Sequence, residues 1–263
     1  MTHTPTANVI PPELGLTPDG VFSDPRVVAW RKLGERDNAV LDAGGRRYHL
    51  KRHAAMKVWP VVGLARRTPA EAEVAAVGLL KSAGIPTLDV VAWGVLSDGR
   101  SYSITADLAG EISAQVWMRR GGRFDGILAS TARLAGVLHS AGLHHKDMYL
   151  CHFFVAENGG GGEARLIDVG RVGRLPVWPL DRRWVVKDLA QFVFSMGEFD
   201  LPRSDVDGWL EEYGRCRGVD PAGLRGAVEV KVRTIGRHDA RLRERAPGRG
   251  VSLPDNVMGG VGR

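Results

Sequence analysis

A chain of 263 residues, 44% apolar and 25% charged, can bury a full core as one large domain or two modest lobes. It holds no apolar run near the ~18 residues that a membrane-spanning helix needs, and Cys151 and Cys216 are too few for a disulfide framework or a cysteine-based zinc site. The formal charge of +6 sits mostly at one end: residues 231–263 carry eight Lys or Arg against Asp239, Glu244 and Asp255, leaving the rest of the chain at about +1.

In chain order, residues 1–24 hold four prolines and little periodicity, so they are expected to be an irregular arm without a secretory signal. Trp30–Leu33 and Asn38–Asp42 read as strands around a polar turn, and Gly44-Gly45 turns the chain into a third strand, Arg46–Lys51. Thr68-Pro69-Ala70-Glu71 is a capping box with proline at the first helical position, predicting a helix to about Ser82 that stops at Gly84. Pro86–Trp93 and Ser101–Thr105 read as two further strands, giving a small, mostly antiparallel sheet with one helix against it. The character changes near residue 108. Asp125–Ala141 reads as a helix with Gly142 as its stop, His152–Ala156 and Ala164–Val169 as short strands, and another helix runs from about Trp184 to Met196. Helices are expected to about Glu244, and residues 247–263 read as a disordered basic tail.

Two carboxylates stand where phosphoryl transfer needs them. His145-Lys146-Asp147 follows a helix that ends on glycine and precedes a strand; Ile167-Asp168-Val169-Gly170 closes the next hairpin. One carboxylate would take or orient the acceptor hydroxyl's proton, and the other would hold the magnesium that bridges the phosphates. Lys51, at the end of its strand, would reach the ATP phosphates. Glu73 shares a helix face with Val77 and Leu80 and is the expected ion-pair partner of Lys51, whereas Glu71 is taken up by the cap. The plainer alternative makes both glutamates surface helix acids. His139 and His144 read as hydrogen-bonded structural residues, and Trp59, Trp93, Trp178 and Trp184 as core or interface residues. Arg171, Arg174, Arg182 and Arg183 either bind a phosphate or carboxylate of an acceptor or form a solvated face.

Residues from about 27 to 196 resemble the lipopolysaccharide core kinases, bacterial relatives of protein kinases that phosphorylate 3-deoxy-D-manno-octulosonic acid or heptose. The similarity rests on Leu50-Lys51-Arg52, Gly84-Ile85-Pro86-Thr87, Leu166-Ile167-Asp168 and Lys187-Asp188-Leu189-Ala190. Its most telling part is Asp147-Met148-Tyr149-Leu150-Cys151-His152-Phe153. The resemblance implies an α+β, protein-kinase-like two-lobed fold, with an N-lobe over 25–107 and a C-lobe over 108–246. It implies ATP and Mg2+, with Lys51, Glu73, Asp147 and Asp168 in the roles given above. It further implies that Asp188 anchors the catalytic loop through backbone hydrogen bonds, and that the connector Ala106-Asp107-Leu108 supplies backbone hydrogen bonds to adenine.

Two departures stand out. His152 occupies the place of the metal-binding asparagine of protein kinases and so stands among the candidate metal and phosphate residues; because imidazole is a poor magnesium ligand, either it hydrogen-bonds a phosphate or the second metal is absent. The phosphate-covering loop, residues 33–37, has one glycine, Gly34. The expected acceptor is a sugar hydroxyl of a lipopolysaccharide-core-like glycolipid, handled in the cytoplasm with the basic C-terminus against an anionic inner-membrane surface. The alternatives are a kinase of a small molecule or protein, and a nucleotide-binding pseudokinase. The tail has no aromatic residues to stack on bases, which argues against specific nucleic-acid binding. The sequence leaves the oligomeric state open.

Overall fold

The computed structural model describes residues 9–56, 67–158 and 162–245 (backbone only at Leu33), so Trp59 and the 247–263 tail lie outside the described residues. The chain divides into two compact units. The first takes residues 1–109 together with 168–173, and the second takes 110–167 and 174–263. The change of character near residue 108 lies close to that division, but the short return of 168–173 to the first unit was not visible in the pattern.

In the first unit, β1 (Val28–Leu33), β2 (Arg36–Ala43), β3 (Arg46–His53), β4 (Val90–Val95) and β5 (Ser101–Ala106) form one antiparallel sheet in the order β1-β2-β3-β5-β4. Side chains alternate across a strand, so Leu50 and Ile104 face one side and Lys51 and Ser103 the other. Leu41, Leu50, Ala92 and Ile104 build the core on the first side. The arm expected to be irregular completes that core: a 3-10 turn (Pro12–Leu14) and α1 (Gly20–Ser23) bury Leu14 and Val21 completely. Short turns of this kind leave no periodicity to detect. Arg52 fixes the arm to the sheet, donating to Val21 O at 3.1 Å and to Asp37 at 2.5 Å.

Helix α2 (Pro69–Ser82) begins at the expected cap: Glu71 N–H bonds Thr68 Oγ1 while the Glu71 carboxylate accepts the Thr68 N–H. Its buried residues Glu73, Ala76, Val77 and Leu80 recur at helical spacing.

In the second unit, β6 (Glu111–Ser113), β8 (Phe153–Ala156) and β9 (Arg165–Leu166) pair antiparallel in the order β6-β8-β9, and β7 (Leu143–His144) precedes the loop that holds His145, Lys146 and Asp147. The strand expected over 164–169 stops at Leu166, because Asp168 turns into the left-handed region (φ 53°) and begins a 3-10 turn, Val169–Arg171. The helices are α3 (Ala114–Arg119), α4 (Asp125–Ser140), α5 (Asp181–Met196), α6 (Arg203–Arg217) and α7 (Ala222–Arg245). Phe192 stacks on Trp209 with ring centroids 4.2 Å apart, and the Trp209 indole N–H donates to Thr131 Oγ1 at 3.1 Å, tying α5 and α4 to α6. Gly136 permits this closeness: a Cβ there would lie 2.8 Å from Cys216 Cβ. Among the described residues no helix is long and apolar enough to cross a membrane.

Candidate active site

The first unit holds a three-residue ion-pair cluster on the polar side of its sheet. Lys51 Nζ lies 2.5 Å from Glu73 Oε1 and 2.8 Å from Asp168 Oδ1. Burial works against the ammonium charge, but the two carboxylates outweigh it and the Lys51 pKa rises above its ordinary value. Glu73 is 3% exposed, which excludes the surface-acid alternative for it. Its second oxygen accepts from Ser103 Oγ at 2.6 Å. Ser103 stands directly opposite Lys51 in the β3–β5 register, so neighbouring strands supply the lysine and the hydroxyl that between them grip one carboxylate. Sequence reasoning missed Ser103. The available signal was the alternation Ser101, Ser103, Thr105, a polar face on an otherwise buried strand.

Gly34 (φ 58°) and Glu35 form the two-residue turn between Leu33 and Arg36, and nothing lies within 4 Å of a Cβ built at Gly34. The turn conformation alone accounts for this glycine. At the connector, the Ala106 N–H donates to Asp89 O at 2.9 Å and the Asp107 N–H to Arg47 O at 3.1 Å. Both N–H groups are thus spent within the first unit.

The second unit holds Asp147 in a loop pinned by one face of α5. The Asp188 carboxylate is fully buried and accepts the backbone N–H groups of His145 (2.6 Å) and Lys146 (2.9 Å). Gln191 Oε1 accepts from Met148 N–H at 3.2 Å and Ser195 Oγ from Leu150 N–H at 2.9 Å. Residues 188, 191 and 195 recur at helical spacing, so one stripe of a helix reads four backbone donors around Asp147. The Lys187 ammonium adds a bond to the Lys146 carbonyl. Burial opposes the Asp188 charge, yet the hydrogen bond and charge of His139, the charge of His145 and the His145 N–H outweigh it, and its pKa is lowered. Lys146 holds φ at 71°, a left-handed conformation that this set of bonds sustains.

His152 Nδ1 lies 2.6 Å from Asp147 O. A carbonyl only accepts, so the proton is on Nδ1 and this ring braces the backbone of Asp147. His145 Nε2 similarly meets Ile167 O at 3.0 Å. His139 is hydrogen-bonded as expected, to Tyr213 Oη at 2.9 Å and Asp188 at 3.4 Å. His144 is not: both ring nitrogens are buried without a hydrogen-bond partner against Trp184, and burial pushes its pKa down to about 4. Trp93 is buried as expected, while Trp178 is 82% exposed and belongs to no core.

The family model of the lipopolysaccharide kinase (Kdo/WaaP) family matches residues 26–213. The chain belongs to this family. It is 30% identical over 231 residues to the lipopolysaccharide core heptose(I) kinase WaaP of Pseudomonas aeruginosa, covering 78% of this chain and 85% of the relative. An Escherichia coli protein of the same description is 28% identical, over 78% of this chain and 86% of its own. A solved structure of WaaP in complex with acyl carrier protein superposes with a TM-score of 0.63 at 27% identity, covering 84% of this chain and 94% of that one. An aminoglycoside 2'-phosphotransferase variant with GDP superposes at 0.54 and 13% identity, over 86% and 88% of the two chains, a likeness of fold alone. The fold is protein-kinase-like, and the chain, as a member of a kinase family, is a phosphotransferase.

Proposed function

We propose that the protein transfers the γ-phosphoryl group of ATP to a sugar hydroxyl of a lipopolysaccharide-core glycolipid. The observation that carries this reading is the shared grip on Lys51. Glu73 and Asp168 both hold the one ammonium group in a kinase-family chain, the arrangement that aims a lysine at nucleotide phosphates. Lys51 holds the phosphates and Glu73 aligns it. Asp147 accepts the acceptor hydroxyl's proton as the oxygen attacks phosphorus, and ADP carries away the bond electrons.

Magnesium fits the donor chemistry. Asp168 presents carboxylate oxygen, its side chain is 35% exposed, and one or two carboxylates together with substrate phosphates suffice for this ion. Among the described residues no group of three or more His, Cys, Asp or Glu could by itself hold a metal ion, so magnesium there would draw its other ligands from phosphate and water. Bound there, the ion would neutralise charge on the phosphates. His152 is assigned to bracing Asp147 through its Nδ1–H, since imidazole suits magnesium poorly. Backbone groups of Ala106 and Leu108 remain the proposed adenine contacts.

The acceptor class follows the relatives' heptose(I) kinase activity. Purified protein with labelled ATP, Mg2+ and core oligosaccharide should label the sugar, and Asp147→Asn should slow transfer at least ~10²-fold. Labelling of only a peptide or an unrelated small molecule would replace the acceptor reading.

A further inference from the structure

We propose that the turn Val177-Trp178-Pro179-Leu180 is a membrane anchor, its apolar side chains entering the interfacial zone of an anionic bilayer while Arg174, Arg182 and Arg183 meet lipid phosphates. The proposal rests on the reading above that the acceptor is lipid-linked, and it names the surface that brings the enzyme to it.

Val177, Trp178 and Leu180 are 81%, 82% and 65% exposed, a run of large apolar groups left in water by the fold. The turn is built rather than loose. The Leu180 N–H closes it on Val177 O at 3.0 Å, and Leu175 N–H ties its base to Gly142 O at 2.7 Å. Tryptophan has an apolar body with one polar edge, which suits the boundary between acyl chains and headgroups.

The three arginines around the turn are exposed. Arg182 keeps one bond to Gly223 O, and Arg183 lies over Trp184 at 5.6 Å. Asp181 is the one acid in 174–183, and its carboxylate lies 3.8 Å from Arg217. The collar is therefore positive, and this selects the occupant. A second copy of the chain would set arginine against arginine. Residues 246–263 carry Arg249 and Arg263 against Asp255 and would be repelled in the same way. An anionic occupant is favoured. Because the apolar groups project from a four-residue turn rather than line a groove, a conforming lipid surface covers them better than a folded protein would.

The test is sedimentation of the full-length protein with vesicles of phosphatidylcholine alone or mixed equally with phosphatidylglycerol. Alongside wild type run Trp178→Ala, Arg174→Ser and a chain truncated after residue 245. Wild type should sediment with the mixed vesicles only; Arg174→Ser should weaken partitioning roughly fivefold, the worth of about one interfacial cation, and Trp178→Ala should weaken it as well by removing buried apolar surface. Truncation should weaken it less. Trp178→Ala should keep wild-type turnover on a delipidated soluble acceptor and lose it on vesicle-embedded glycolipid. Turnover on the soluble acceptor tests the kinase reading separately from binding. Equal binding by Trp178→Ala and wild type, loss of binding only on truncation, or retention by acyl carrier protein with no vesicle binding would each overturn the proposal.

Discussion

Lys51 is held by two carboxylates, and one of those is held in turn by a serine on the next strand. Removing the Ser103 hydroxyl leaves a buried Glu73 oxygen short of a charge-assisted bond worth about 1.5–3 kcal/mol. Ser103→Ala should therefore lower kcat/KM for ATP at least about tenfold, and Ser103→Thr should restore most of it. Wild-type kinetics in the alanine variant would remove Ser103 from the positioning of Lys51. His144 tests the opposite situation, a buried ring with no partner. Its folded pKa of about 4 lies below the ordinary 6.5, so between those values the unfolded chain takes up a proton that the fold refuses. The contribution of this group to stability is fully present above pH 6.5 and is lost as pH falls toward 4, by up to about 1.4 kcal/mol per pH unit. His53, pushed down to about 4 mainly by burial, adds a loss of the same sign in the same window. Chemical denaturation across this range should show a flatter pH slope for His144→Phe than for wild type; parallel slopes would mean that His144 is protonated in the fold.

At the scale of elements, α5 determines the shape of the loop around Asp147. Asp188→Ala would leave two buried N–H groups without an acceptor, at about 1–3 kcal/mol each. Denaturant unfolding should show a loss of several kcal/mol, and turnover should fall because Asp147 loses its fixed backbone. Ser195→Ala, with two neutral bonds at stake, one from Leu150 N–H and one to Phe192 O, should cost less, about 1 kcal/mol. The helix itself was readable from its apolar run, and the resemblance singled out Asp188, but the roles of Gln191 and Ser195 were not readable. A polar residue on a buried helix face has meaning only once the facing loop is in place. The capping box of α2 was fully legible, because Thr68, Pro69 and Glu71 act on their own backbone. The arm over 9–24 was not: its burial of Leu14 and Val21 depends on a sheet formed by residues far along the chain.

At the scale of the whole molecule, the order of strands, helix, strands and then helices pointed to a small sheet with one helix against it and a helical remainder; the kinase-like fold itself was implied by the resemblance, and the family match agrees with it. Local patterns place a carboxylate at the end of a strand but do not say which unit its side chain joins. Asp168 shows the difficulty, since it follows a strand of the second unit and contacts Lys51 in the first. Its left-handed backbone conformation is the cause, and neither composition nor periodicity encodes it.

One proposed phosphoryl transfer draws on Lys51, Asp147 and Asp168. It is tested most directly by Mg2+-dependent ATP turnover on core oligosaccharide, measured for wild type beside Lys51→Met, Asp147→Asn and Asp168→Ala. The expected result is turnover stimulated by the oligosaccharide and reduced at least ~10²-fold in every variant, with ATP binding kept in Asp147→Asn. Stimulated turnover that persists in Asp147→Asn or Asp168→Ala would contradict the account.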